Sequence, residues 1–574
     1  MPTPDYYNRL NPNLLTLIPP DAKAILEVGC GAGALAEAYR QINPEVEWTG
    51  IERDWKAAKI AESRMTEVIV DDAQSRAENG VMVKEPYVDC LVFGDILEHL
   101  ANPLEALKGF MLWLKPGGQV LASIPNVQHY SIILGLLRGE WEYADEGLLD
   151  RTHLRFFTLK SIKALFADAG LETFEIRGRC INNQGYDEFM AEVGEKIRDE
   201  WLGNWMAFAN QARTYQYIVR ALKPPAEVKP LRIHAIAAEG CCARPRIEEP
   251  LRMLGTIPGT RIVIQRSGEA PSETGPPEIV IYQRPSYVDP KVITEIVNQG
   301  VFIITEWDDD PRSPYFGDLA ASDFLPLRAC HAVQVSTEAL AEVVRAWNPE
   351  VAVFANQIAE LPATGWHDRT FADSDCVKIF FGAQNREPDW APIMPALNRI
   401  LSEHPKAHMY VVHDRQFFDA IKTREKSFFP FCDYTQYRSI LRSCDIALLP
   451  LEPTPFNRCK SDLKFLECAA EGVAVLASET VYGETINRFS ADMTYGPHYV
   501  FPGLLGFLIC YPEKRRSFAK ASYRYVRDHR LLSQHYRERY EWYQSLINRK
   551  ESLARALLER APELARPAHP ATRA

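Results

Sequence analysis

The sequence predicts an α/β chain of three Rossmann-like units, one alone and two forming a pair. Three observations carry this. Strand-like apolar runs alternate with amphipathic helical runs from about Ala24 to Ile176. The alternation stops at the proline-rich "KPPAEVKP" (Lys223 to Pro230), which suits neither helix nor ladder, and restarts at Leu231. Two strand-like runs end in a glycine-bearing turn, "AILEVGCGAGALAEAYR" and "VKIFFGAQNRE". The 574 residues agree with three to five folding units, at about 100–200 residues each.

Composition removes several function classes. A hydrophobic share of 46% and a charged share of 25% are those of an ordinary soluble protein. A net charge of −11 offers no broad cationic field for nucleic acid or an acidic membrane. The opening "MPTPDYYNRLNPNLLTLIPP" lacks the basic start and apolar core of a signal peptide, and no apolar run reaches the ~20 residues that span a bilayer. "FPGLLGFLICYP" (Phe501 to Pro512) carries two prolines and two glycines and reads as buried core. Twelve cysteines without a C-x-x-C pair read as reduced thiols, so a cytoplasmic location is expected.

In the first unit, glycines 29, 31 and 33 follow a short apolar strand and precede a helix, whose free N–H groups can face a ligand. That pattern alone would also serve a dinucleotide pyrophosphate. Glu27 discriminates, because its charge opposes a pyrophosphate and suits the ammonium of a methionine moiety. A second strand ends at Glu52, placed to accept from both ribose hydroxyls, and a third ends in "VIVDDAQ", where Asp72 can accept from an adenine amino group and Asp71 reads equally as a solvated loop acid. A fourth strand, "VDCLVFGDILEHL", brings Asp95; "LKPGGQVLASIPN" turns into a fifth.

These residues resemble the class I S-adenosylmethionine-dependent methyltransferases of the type 11/12/23 group, over roughly Ile25 to Gly178, with "EVGCGAG", "DILEHL", "LKPGGQVLASIPN" and "LLDRTHLRFFT" carrying the resemblance. It implies a Rossmann-like methyltransferase domain with S-adenosylmethionine as cofactor and a pocket lined by Glu27, Gly29, Gly31, Gly33, Glu52, Asp72 and Asp95. Methyl transfer to a hydroxyl needs a positioned acceptor and removal of a proton, for which a histidine is suited. His99, His129 and His153 follow the cofactor strands. His153 is favoured as base, with Asp150 to orient it and Arg151 or Arg155 to hold an anionic substrate; His99 serves as base or as pocket lining.

After the break, "LRIHAIAAEG", "PEIVIYQRP", "GVFIITEWDDDP" and "CHAVQVSTEALAEVVRAWNPEVAVFANQI" make one α/β series, and the stretch from "VKIFFGAQNRE" to "KSDLKFLECAAEGVAVLAS" makes another. Together, over Leu231 to about Leu546, they resemble family 4 glycosyltransferases of the GT-B type. The resemblance implies a UDP-, GDP- or dTDP-sugar donor, with Gly382 facing its diphosphate, Arg386, Lys460 and Lys464 supplying positive charge, and Glu467 on the ribose. Lys460, Lys464 and Glu467 fall at helical spacing and are expected on one helix face. The family's first acid would stand at 459, where this chain has Cys459. "TEWDDDP" offers a D-x-D that could hold a divalent ion, but an acceptor-side loop is the simpler account, so no metal ligand is assigned.

The expected organisation is a methyltransferase domain over 1–222, a linker over 223–230, an acceptor domain over 231–365, a nucleotide-sugar domain over 366–548 and a flexible tail over 549–574. The expected function is bifunctional: methylation of a glycan hydroxyl and transfer of a sugar in bacterial surface polysaccharide or O-antigen synthesis. A lipid-linked glycan acceptor would bring the chain to the inner face of the membrane. In the alternative, the second half is a non-catalytic glycan-binding module. In a third reading the acceptor is a small metabolite or lipid, with "NNQGYDEFMAEVGEKIRDEWLGNWMAF" as a lid.

Overall fold

The structure is a computed structural model that describes residues 6–79, 85–181, 183–194, 205–225, 228–240, 242–266, 276–317, 319–363, 376–489 and 493–565. The chain divides into two compact units. The first takes in Met1–Pro230 and Gly255–Gly259, the second Leu231–Leu254 and Thr260–Ala574. The expected boundary at 365 falls outside the described residues, as does much of the suggested lid.

In the first unit, β1 (Ala24–Val28), β2 (Glu47–Glu52), β3 (Glu67–Val70), β4 (Val88–Gly94), β5 (Leu114–Pro125), β6 (Glu172–Cys180) and β7 (Thr214–Leu222) form one sheet, ordered β3-β2-β1-β4-β5-β7-β6. β1 to β5 run parallel; β7 inserts between β5 and β6 and is antiparallel to both. Both faces are covered, which is why β1 is buried along its length, Glu27 included, rather than alternating. The pleat sends Leu91 and Phe93 of β4 into one core cluster, with Phe110 and Phe166, and Cys90 and Val92 into the other, with Tyr39 and Trp48. Strand order reverses between β1 and β4, so a crevice opens at their C-terminal ends.

The second unit holds two six-stranded parallel sheets. β8 (Leu231–Ala237), β9 (Thr260–Arg266), β10 (Ile279–Gln283), β11 (Phe302–Trp307), β12 (Ala332–Val335) and β13 (Val351–Val353) are ordered β13-β12-β11-β10-β8-β9. β14 (Val377–Gly382), β15 (Ala407–Val412), β16 (Lys426–Phe429), β17 (Ile446–Leu449), β18 (Ala474–Ser478) and β19 (Thr494–Tyr495) are ordered β16-β15-β14-β17-β18-β19. Their switch point lies between β14 and β17.

The C-terminal end departs from the expected boundaries. The chain crosses back where Ile358 and Leu531 bridge, and the helices Leu532–Asn548 and Lys550–Arg560 return to the β8–β13 sheet. Tyr543 donates to Gln334 Oε1 at 2.8 Å, and Leu557, Ala561 and Leu564 enter the cluster around Trp307. The stretch expected to be a flexible tail from 549 is thus helical to Arg560, because its leucines have an apolar face to cover. Among the described residues no helix is long and apolar enough to cross a membrane. The helix Phe501–Cys510 buries Phe501, Leu505 and Leu508.

Candidate functional site

Gly29, Gly31 and Gly33 all have left-handed φ, of 75°, 54° and 81°. At Gly31 there is a second reason for glycine, since a Cβ would stand 2.6 Å from the Tyr7 carbonyl oxygen. The loop is tied to β2 twice: Gly29 N–H donates to Ile51 O at 2.8 Å, and Gly31 N–H donates to Glu52 Oε2 at 2.9 Å. Asp54 N–H holds the other Glu52 oxygen at 2.8 Å, so this carboxylate is fixed at the strand end.

Glu27 lies beneath the loop, 6% exposed, with Trp48 Nε1 donating to it at 3.1 Å. Burial pushes its carboxyl up to about 8, the Trp48 hydrogen bond opposes, and Glu52 adds to the rise. A buried acid with one neutral partner suits an incoming ammonium. Asp72 caps the helix Ala73–Glu78 through Ser75 N–H at 2.9 Å, while Asp71 accepts from Asp72 N–H and pairs with Arg76. Asp95 follows β4 in a left-handed conformation, φ 54°, and its carboxylate accepts from Gln216 on β7. It is reachable by solvent yet enclosed by protein, and that enclosure raises its carboxyl against the Ser123 hydrogen bond and the Arg179 charge. The residues of the crevice fit a methyl donor with an ammonium, a ribose and an adenine.

Beside Asp95, the turn Leu97–His99 and the loop before Thr158 bring distant residues together. A Glu98 oxygen and one ring nitrogen each of His99 and His153 lie within 4.8 Å of one another, the two imidazoles edge to face at 4.8 Å. Leu154 and Arg155 N–H groups donate to Glu98 O at 2.8 and 3.0 Å and fix the approach. Asp150 acts at one remove: its Oδ1 accepts from Thr152 N–H and from the Thr152 hydroxyl at 2.6 Å, and that hydroxyl is 3.1 Å from His99 Nδ1. The Thr152 proton is committed to Asp150, so its oxygen accepts from His99, as does its carbonyl at 3.2 Å. His153 Nδ1 likewise donates to Leu148 O at 3.1 Å. Both rings therefore carry the proton on Nδ1 and keep Nε2 as an acceptor.

Burial lowers the pKa of His99 and of His153 and raises that of Glu98, whose Oε2 has no hydrogen-bond partner among the described residues. A carboxyl oxygen and one nitrogen of each imidazole gathered within 4.8 Å can share a proton or hold a cation. The cluster can act as a general base and has the donors to hold a divalent cation, although no metal ligand is expected from the sequence. His129, by contrast, caps the helix Tyr130–Arg138, and burial lowers it to about 4.

In the second unit, Gly382 ends β14, where a Cβ would meet the Phe380 and Tyr437 rings. Arg386 lies 3.3 Å from Asp389 and 3.2 Å from Asn457. The helix Leu463–Ala470 carries Lys464 and the buried Glu467, 3.2 Å apart, with Lys464 also on Tyr437 Oη at 2.9 Å. Lys460 is not on that helix, which starts only after Asp462; it sits in the preceding turn and pairs with Asp309. The three acids of "TEWDDDP" each face a cation, Asp308 and Asp309 on Arg284 and Asp310 on Arg312, which speaks against a metal there. A cavity of about 950 Å³ nearby is lined by Phe354, Gln357, Tyr525, Arg530 and His535, and by none of the five residues expected to bind the donor.

Cys459, where an acid was expected, is 3% exposed and packs in the cluster around Trp307 and Phe316. The thiol packs there beside the acids Asp310 and Asp309, and burial and these charges both raise its pKa. Cys459→Asp is expected to destabilise this unit, because it buries a carboxylate in an apolar cluster beside Asp310 and Asp309, read as an earlier denaturant transition.

A family model described as a methyltransferase domain matches residues 5–176. Similar curated proteins include the ubiquinone biosynthesis O-methyltransferase of Thiobacillus denitrificans, 30% identical over 171 residues, which cover 29% of this chain and 72% of that protein. The protein of the same description from Pseudomonas paraeruginosa is 32% identical over 166 residues, covering 28% and 69%. Solved structures similar to it include a SAM-dependent methyltransferase from Archaeoglobus fulgidus, 18% identical with a TM-score of 0.27 over 38% of this chain and 95% of the other, and the plantazolicin methyltransferase BpumL in complex with SAH, 15% identical with a TM-score of 0.26 over 38% and 88%. Through its first unit, the chain belongs to the class I S-adenosylmethionine-dependent methyltransferases.

Proposed function

We propose that the methyl acceptor is a hydroxyl group of a glycan, and that the second unit transfers a sugar from a nucleotide donor to the same class of acceptor. The observation that supports a hydroxyl as the acceptor is the Glu98–His99–His153 cluster beside Asp95, where both imidazoles donate through Nδ1 and keep Nε2 as an acceptor. The cofactor supplies an electrophilic methyl on a sulfonium. The chain's own residues then have two tasks: Glu27, Glu52 and the glycine loop orient the donor, and His153 or His99 takes the hydroxyl proton as the new bond forms. The description of the relatives as O-methyltransferases supports oxygen as the acceptor atom.

Sugar transfer is supported by Gly382 at the end of β14, beside the β14–β17 switch point where open parallel sheets bind ligands, and by the Tyr437 ring next to it, whose hydroxyl holds Lys464. A lipid-linked glycan would recruit the chain to a membrane surface. Cys459 in an apolar core favours a second reading, in which this unit only holds the glycan. Calorimetric titration of the whole chain with S-adenosylhomocysteine and then with UDP, GDP and dTDP, followed by methylation assays on glycans and on phenols, tests both. Binding of one nucleotide together with hydrolysis of its sugar supports transfer. Glycan binding without nucleotide binding supports the second reading, and methylation of phenols alone removes the glycan.

A further inference from the structure

Asp309 holds the cation that the donor reading gives to a phosphate. It follows β11, and its two oxygens face in different directions. Oδ2 accepts from Arg284 Nη2 at 3.0 Å; Oδ1 accepts from Lys460 Nζ. The side chains of Arg284, Lys460 and Asp309 are 14%, 14% and 18% exposed, so a carboxylate is seated between two largely buried cations. Arg284 also binds Asp308, and its backbone stands at φ 48°, a conformation uncommon for its residue type.

We infer that Arg284 and Lys460 form a seat for a phosphate oxyanion of a nucleoside diphosphate, and that in the ligand-free chain Asp309 fills it. This rests on the donor reading above. Three features support it. Lys460 binds Asp309, just after β11, while itself standing in the loop before the helix Leu463–Ala470, so its ammonium links the β8–β13 sheet to the segment that carries Lys464 and Glu467. The residues on either side of Lys460 are held, because the Thr337 hydroxyl donates to Cys459 O at 2.9 Å and Asn356 donates to the Ser461 side-chain Oγ at 2.6 Å. Only the four-carbon stem of Lys460 needs to turn for its charge to pass from carboxylate to phosphate. Finally, Asp308 and Asp310 keep their own arginine partners whether or not Asp309 is displaced, so a phosphate arriving there meets screened acids.

A ligand in this seat competes with a group of the protein itself. Calorimetric titration of the full chain with UDP, GDP, dTDP and inorganic pyrophosphate, on wild type, Asp309→Asn, Lys460→Met and the double variant, tests this. Asp309→Asn is expected to bind the preferred nucleotide about tenfold more tightly. Lys460→Met is expected to bind it about tenfold less tightly, and the double variant no better than Lys460→Met. Asp309→Ser serves if the asparagine variant does not fold. Unchanged or weaker binding by both Asp309 variants, with wild type binding normally, overturns the seat and leaves the donor reading standing. No binding by any protein overturns both. A gain for pyrophosphate equal to that for the nucleotide assigns the seat to phosphate rather than to the base.

Discussion

Binding of S-adenosylhomocysteine at pH 7 is expected to release close to one proton, and Glu27→Gln is expected to lose both that proton and most of the affinity. With its carboxyl at about 8, Glu27 is roughly 90% protonated at pH 7 in the ligand-free chain. An ammonium set against it reverses the balance, so the proton leaves as the ligand arrives. Titrations in buffers of different ionisation enthalpy read it directly. Affinity is expected to rise about tenfold per unit of pH up to 8 and then to level. Removing one partner of a buried ion pair typically costs about 3–5 kcal/mol, so Glu27→Gln weakens binding by about 100-fold or more. Enthalpies that do not change with buffer would place the ammonium elsewhere.

The same group makes a prediction of opposite sign for the empty protein. An unfolded glutamate ionises near 4.5 and the folded one near 8, so between those values the native state binds the extra proton and stability falls as pH rises. The slope is about 1.4 kcal/mol per unit. Glu27→Gln removes it, and the variant outlasts wild type at pH 8 while binding the cofactor poorly.

The second large effect is on the rate. His153→Ala and Glu98→Gln are each expected to lower kcat by about 10²- to 10⁴-fold, with S-adenosylhomocysteine affinity nearly unchanged. Neither side chain belongs to the glycine loop or to the Glu27 pocket, so a parallel loss of cofactor binding would show a structural role instead. Chelation by EDTA separates the two chemistries open to the cluster. A proton-sharing cluster keeps its rate through dialysis; a cation-holding one loses it and recovers with the right divalent ion.

Much of this was local and hence legible in the sequence. Glu27, the glycine loop and Glu52 stand within one β-α-β segment, where the order of residues nearly dictates their neighbours. Glu98 and His153 are separated by two helices, a strand and a long loop, so only the tertiary fold brings them together. Thr152, which sets the tautomer of His99, and Gln216, which holds Asp95 from β7, left no pattern of their own. Helical spacing misled at Lys460, because Ser461 and Asp462 interpose a turn and Arg530 takes the Asp462 carboxylate. The terminal leucines looked idle because the face they cover was built more than 200 residues earlier.

That last contact sets a schedule for the chain as it is made. Thr294 donates to Leu564 O across 270 residues, and Arg328 pairs with Glu563 at 2.9 Å. At about 5–20 residues per second, a ribosome needs roughly 13 to 54 s to deliver Leu564 after Thr294 has been made. Through that interval the β8–β13 sheet keeps an apolar face uncovered, while the methyltransferase strands upstream already have their partners. A nascent chain stalled before the final helices thus exposes a folded enzyme followed by an adhesive half-domain, the state a holdase would be expected to grip.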